Sequence, residues 1–167
     1  MRDGLSTVWL AARSLLWAVV LPGTVAVYIP WRFFGLGDVR LDLHDPMHIG
    51  GGALFATGAL LLALCIWEFA AIGRGTLAPV DPPRELVVAG LYRYVRNPMY
   101  LSVATILLGE LLLTRSTGLL IFAAAWFVIV NLFVIFYEEP NLRRRFGTSY
   151  EHYVASVGRW VPRPTRA

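Results

Sequence analysis

The sequence contains no lysine, so all 15 of its basic residues are arginine. It contains one cysteine, Cys65, which excludes an intrachain disulfide and any metal site built from several cysteines. Cys65 lies inside an apolar run, where a buried packing thiol is expected. Charge is also scarce. Charged residues make up 16% of the 167 residues and hydrophobic ones 57%, with a mean hydropathy of +0.59. A soluble domain of this size needs more polar surface to cover its core. Internal repeats and low-complexity stretches are absent too. In a soluble chain the formal net charge of +4 would point to nucleic acid. Here the arginines stand just outside apolar runs, so they point to membrane orientation and anionic lipid, with no nucleic-acid partner.

Four apolar runs define an all-α membrane protein with about four transmembrane helices and a C-terminal amphipathic, interfacial helix. The first run spans about 8–29, with Pro22 and Gly23 inside it. Arg2 ahead of an apolar stretch resembles a signal peptide, but no small-residue cleavage site follows, so a retained first span is expected. The second run spans about 47–72. Asp45 and Pro46 make a helix start, and Gly50, Gly51, Gly52, Ala56 and Ala59 allow close helix contact. The third spans about 98–114 and the fourth about 118–137, joined by a tight turn at Arg115 to Gly118. A two-span scaffold (1–72) thus precedes a region (73–167) made of a polar loop (73–97), two spans and a tail (138–167).

Arginine distribution orients the spans. Arg74, Arg84, Arg93 and Arg96 lie between spans two and three, and six more arginines follow Tyr137. The opposite side has Arg32 and Arg40, balanced by Asp38, Asp42 and Asp45, and then Arg115. Both termini are therefore expected in the cytoplasm. In the tail, Phe146, Tyr150, Tyr153, Val154 and Val157 share one face of an amphipathic helix lying on the membrane or over the bundle, and Trp160 with Arg159 and Arg163 is placed to anchor its end at the interface.

Two segments carry the candidate chemistry. Gly90-Leu-Tyr-Arg-Tyr-Val-Arg-Asn-Pro-Met-Tyr100 combines tyrosines, arginines and an Asn97-Pro98 step at the mouth of a span. Proline biases Asn97 away from helix and holds its amide at the first turn. Tyr137-Glu138-Glu139-Pro140 ends the fourth run with adjacent carboxylates, which are costly near hydrocarbon. The bland explanation pairs them with Arg143, Arg144 and Arg145 one turn on. Asn131 is seven residues before Glu138, on the same helical face.

These segments, with Asn141-Leu-Arg-Arg-Arg-Phe-Gly-Thr-Ser-Tyr150, Tyr153 and Val157-Gly-Arg-Trp-Val-Pro-Arg163, resemble the isoprenylcysteine carboxyl methyltransferase and phospholipid methyltransferase superfamily. The resemblance covers about 73–163. It implies a methyltransferase using S-adenosylmethionine, with S-adenosylhomocysteine as product, bound on the cytoplasmic side. By that resemblance Arg96, Asn97 and Glu138 are the catalytic candidates. Gly90, Tyr92, Arg96, Asn97, Pro98, Tyr100, Asn131, Glu138 and Glu139 are the cofactor-binding candidates, and Tyr94 offers a further stacking face. Arg96 suits the donor's carboxylate, and a Glu138 or Glu139 carboxylate suits its ammonium or ribose hydroxyls. The acceptor is expected to be a lipid or other amphiphile entering from the membrane, with Glu68, Tyr153 and Trp160 as substrate-binding candidates. Asn97 stands where the carboxyl methyltransferases have histidine, and it cannot act as a base. Asn-Pro-Met-Tyr and Tyr-Glu-Glu-Pro are closer to the phospholipid branch. Ser102 replaces a common glycine. The all-arginine basic complement resembles that of a GC-rich bacterium, which implies the bacterial inner membrane.

Other readings compete. A sterol-reductase-like protein would bind NADPH, and a membrane scaffold or accessory subunit would have no catalytic role. Gly73-Arg-Gly-Thr-Leu-Ala78 mimics a dinucleotide fingerprint, but a span precedes it and prolines follow. His44, Asp45 and His48 mimic a metal pair, yet helix capping accounts for Asp45, and no metal is expected. Glu110 is placed to pair with Arg115, and Glu68 either to meet Arg74 or to line the pocket.

Overall fold

The computed structural model describes residues 20–72 and 86–163. The start of the first apolar run, the glycine-rich string after Ile72 and Arg74 lie outside them. Its regular elements are helices: α1 (Ile29–Phe33), α2 (Pro46–Ile72), α3 (Pro98–Thr114), α4 (Thr117–Phe133), α5 (Glu139–Phe146) and α6 (Thr148–Ser156). Two stretches, Pro46–Glu68 and Thr117–Phe146, are long enough to cross a bilayer, and each holds an 18-residue window of high mean hydropathy, 2.1 and 2.8 respectively. Only 17% of each window is buried, so side chains such as Leu60, Trp67, Ile121 and Ile129 form lipid-facing surface. α3, with 17 residues, rises about 26 Å. It begins at Pro98, as the Asn97-Pro98 step requires.

Two helices run further than their prolines predict. The first apolar run was expected to end near residue 29, but the helix passes through Pro30 to Phe33. The fourth passes through Pro140 to Phe146 without a break. Each proline follows a π-helical turn, Thr24–Tyr28 before Pro30 and Val134–Glu138 before Pro140. A helical proline lacks an N–H and crowds the carbonyl four residues back. The wider π turn shifts the hydrogen bonding (Ile29 to Thr24, Glu139 to Val134) and makes room for the ring.

α2 and α3 pack antiparallel through small residues at seven-residue spacing, Gly51, Gly58 and Cys65 against Gly109 and Ser102. A Cβ on Gly109 would lie 2.6 Å from the Phe55 nitrogen and 2.7 Å from the Gly51 oxygen. One on Gly58 would lie 2.8 Å from the Ile106 nitrogen. Gly52, one of the expected contact glycines, has nothing within 4 Å, whereas Gly58 was overlooked. Ser102 fits its glycine-like position because its hydroxyl donates back to the Pro98 oxygen at 2.8 Å, beside the buried Cys65 sulfur. Ala26, Val103, Ile106, Leu107 and Leu119 make the core where α3 meets the first helix and α4.

At the end of the hairpin, the Asp45 carboxylate accepts from the Met47 N–H at 2.9 Å and pairs with Arg115. The Met47 N–H, helped by Arg115 and His48, holds its carboxyl below the usual value. His48 Nδ1 accepts from the Asp42 N–H, which ties it into the same turn. Glu110 therefore does not have Arg115 as a partner. It is fully buried on the face of Val103 and Leu107, with both carboxylate oxygens unpartnered among the described residues. Arg115 adopts the left-handed conformation (φ 51°) that ends α3, and it reaches Asp45 instead.

The tail is not one interfacial helix. Gly147 (φ 50°, ψ −126°) breaks it between α5 and α6. Tyr150, Tyr153 and Val157 bury their shared face against Leu86, Leu142 and Phe146, so the apolar stripe packs on protein rather than lipid.

Candidate active site

The loop before α3 turns through a 3-10 helix, Gly90–Arg93. Gly90 has φ +53°, and a Cβ there would lie 1.7 Å from the Glu68 Oε1. Glycine thus lets the Glu68 carboxylate reach the backbone, where both its oxygens accept from the Leu91 N–H at 3.2 and 3.0 Å. Glu68, open between a pairing and a lining role in the sequence, docks α2 onto the loop. Gly90→Ala is expected to cost about 2 kcal/mol from the left-handed strain alone. A detergent melting curve matching wild type would show that the dock yields freely.

The tail then clips this loop from the other side. Val95 bridges to Gly158, and the Arg96 N–H donates to the Gly158 oxygen at 2.8 Å. Asn97 Nδ2 donates to the Arg159 carbonyl at 3.3 Å, and the Tyr153 hydroxyl to the Tyr92 carbonyl at 2.6 Å. Burial pushes the Tyr153 phenol above its ordinary value and that of Tyr92 well above it. Both stay protonated at neutral pH, Tyr153 as a donor.

The two adjacent carboxylates have opposite surroundings. Glu139 is buried and accepts from Arg96 Nη1 at 2.9 Å and, in bidentate fashion, from Arg159 Nε and Nη2 at 2.6 and 3.0 Å. The Arg96 and Glu139 side chains are each 7% exposed, so this pair is an internal one. Its hydrogen bond to Glu139 raises the Arg159 pKa. Arg96 Nη1 also lies 3.4 Å from the Tyr150 hydroxyl, while its Nε is buried and unpartnered among the described residues. The pairing with Arg143 to Arg145 does not form, and Arg143 meets Glu151 instead. Residues 20 and 43 positions away supply the charge that the local pattern assigned to the next turn.

Glu138 is half-buried and accepts from the Tyr100 hydroxyl through Oε2 at 3.1 Å. The Tyr100 ring meets that of Trp160 edge-on at 6.4 Å, and Phe127 lies 5.3 Å from the same indole. Trp160 Nε1 donates to Asn131 Oδ1 at 2.9 Å. Trp160 is therefore fixed against α4. The Asn131 side chain is the acceptor that draws it in. Tyr94 faces outward beneath Arg93 and takes no part.

The structure thus gathers Glu68, Gly90, Tyr92, Arg96, Asn97, Pro98, Tyr100, Asn131, Glu138, Glu139, Tyr153 and Trp160 at one end of the helices. Arg159, counted in the sequence as an anchor and orientation charge, is the residue that was missed. Its place beside Trp160 in a tail full of arginines gave it no separate signal. Chemically, the arrangement leaves one neutralised carboxylate, Glu139, and one held only by a phenol, Glu138, beside an aromatic wall.

The phospholipid methyltransferase family matches residues 46–149, from the start of α2 into α6. A phosphatidylethanolamine N-methyltransferase of Yarrowia lipolytica (strain CLIB 122 / E 150) is 32% identical over 139 residues. The match covers 77% of this chain and 14% of that relative, so the chain spans a small part of the relative's length.

Proposed function

The chain belongs to the phospholipid methyltransferase family, and from that premise we propose that it transfers a methyl group from S-adenosylmethionine to the amine of a membrane lipid headgroup. The observation that carries the reading is the unequal pair at Glu138 and Glu139. Two arginines neutralise Glu139, whereas Glu138 has only the Tyr100 hydroxyl among the described residues. Glu138 is therefore a carboxylate without a cationic partner among the described residues, which suits a cationic or amine ligand. That unpaired carboxylate supports an amine lipid, rather than a carboxylate, as the acceptor.

The residues present fit the donor. Arg96 has a buried Nε without a partner, which suits a carboxylate. Asn97, whose Nδ2 is committed to Arg159, keeps Oδ1 as an acceptor for the donor's ammonium. When bound, S-adenosylmethionine supplies a sulfonium methyl, and the acceptor nitrogen's lone pair forms the new N–C bond as the C–S pair returns to sulfur. Glu138 holds the amine and takes a proton from it, because only the neutral amine has the lone pair. Asn97 orients without exchanging protons. Tyr153, Gly158 and Arg159 fix the loop so that the partners stay aligned, which is the larger part of such a reaction.

We place this end of the bundle, with both termini, in the cytoplasm of a bacterial inner-membrane protein, because it carries Arg93, Arg143, Arg144, Arg145 and Arg163. Residues 73–167 form the catalytic region on the scaffold of residues 1–72, with Glu68 the scaffold's contribution.

The test is calorimetric binding of S-adenosylmethionine to detergent-purified protein, with transfer of labelled methyl to a lipid extract. Binding and label in an amine phospholipid are expected. Glu138→Gln should retain the fold and lose transfer about 100-fold or more. A folded sample that neither binds donor nor labels lipid defeats the reading.

A further inference from the structure

We propose that the indole of Trp160 is the acceptor-side wall of the site, a π-face that favours partly methylated ammonium groups over the unmethylated one. The inference rests on the lipid-amine reading above and adds a preference among its substrates.

Trp160 is held at three points. Its N–H is fixed by Asn131, one side packs on Phe127, and its other contact is the edge-on ring of Tyr100. Phe127 and the neighbouring Val128 and Ile129 are exposed on the apolar flank of α4, so this aromatic group begins at the lipid-facing surface. It ends at Glu138, because the Tyr100 hydroxyl donates to that carboxylate. Trp160 itself remains partly exposed. A headgroup approaching Glu138 from the bilayer alongside α4 therefore meets the indole on its way.

A carboxylate beside aromatic faces is the chemistry that holds methylated ammonium ions. A primary ammonium is compact, strongly hydrated and satisfied by hydrogen bonds to the carboxylate. Each added methyl removes one N–H donor, lowers hydration and spreads the charge over a surface that a ring attracts well. The same face stabilises the positive charge that develops on nitrogen as the N–C bond forms and the C–S pair leaves. The benefit grows from the first transfer to the third.

The experiment compares wild type, Trp160→Leu and Trp160→Phe in mixed micelles. The acceptors are phosphatidylethanolamine and its N-monomethyl and N,N-dimethyl derivatives, with donor affinity measured by calorimetry on each sample. For Trp160→Leu, kcat/KM for the dimethyl lipid is expected to fall about tenfold, and for the unmethylated lipid less than threefold. Donor affinity should be unchanged. Trp160→Phe, which keeps a π-face but loses the Asn131 hydrogen bond, should restore most of the preference. Equal losses on all three acceptors, or a leucine variant that keeps the wild-type preference, would overturn the proposal while leaving amine-lipid transfer standing. Wild type inactive on all three would overturn both.

Discussion

Replacing Gly109 with leucine is expected to leave little folded protein, while Gly52→Ala on the facing helix does no harm. At Gly109 even a Cβ would come within 2.6 Å of the Phe55 nitrogen and 2.7 Å of the Gly51 oxygen. Both neighbours are helix backbone, so neither can swing aside, and the two helices must separate. That separation also opens the Gly58 contact with Ile106 and the buried Cys65–Ser102 contact further along the seam. The cost is expected at or above the upper end of overpacking penalties, about 3 kcal/mol. At Gly52 a Cβ meets nothing within 4 Å, and alanine gains up to about 1 kcal/mol of helix propensity. Unfolding in mixed detergent micelles measures both. Similar stabilities for the two variants would mean that the seam does not hold α2 to α3.

The second large effect concerns Glu139. Glu139→Ala removes the carboxylate that, among the described residues, joins the Arg96 side chain before α3 to that of Arg159 in the tail. Arg96, nearly inaccessible to water, is then left as an unpaired charge. Removing one member of a buried pair costs about 3–5 kcal/mol. The tail should detach from the loop, and proteolysis after α6 should accelerate. Glu138→Gln, at the adjacent position, should show none of this, because its loss is in methyl transfer. If the two variants unfold alike, the division of labour between the carboxylates is wrong. An Arg159→Ala control should be milder than Glu139→Ala, because Arg96 keeps its partner and Arg159 is nearer the solvent.

Much of this was legible in the order of residues. Local rules placed the start of α2 at Asp45-Pro46, that of α3 at Asn97-Pro98, and the turn at Arg115, because capping and proline act within a few residues. The two site segments stood out because tyrosines, arginines and carboxylates are expensive at the ends of apolar runs. Local rules failed where distant chain competes. Spacing offered the glutamates only the next turn's arginines as partners, but the ones Glu139 meets are Arg96, 43 residues away in sequence, and Arg159, 20 away. The tail's apolar stripe was open between membrane and bundle, because periodicity marks a face without naming what covers it. Glu110 was matched to the nearest arginine along the chain, and a left-handed residue turned that arginine toward Asp45 instead. Which glycines touch was likewise invisible, since Gly51 and Gly52 differ only in the direction they face.

The π turn at Val134–Glu138 also makes the acid pair a matter of chain length. A turn of this kind accommodates one residue more than an α-helical turn does. Losing one residue there would return the helix to ordinary register and rotate everything beyond it by about 100°. The identities of Glu138 and Glu139 would survive such a deletion, but their aim at Tyr100 and Arg96 would not. When relatives are aligned, a one-position gap in this helix therefore counts as heavily as a substitution of either glutamate, because it changes which residue points into the site.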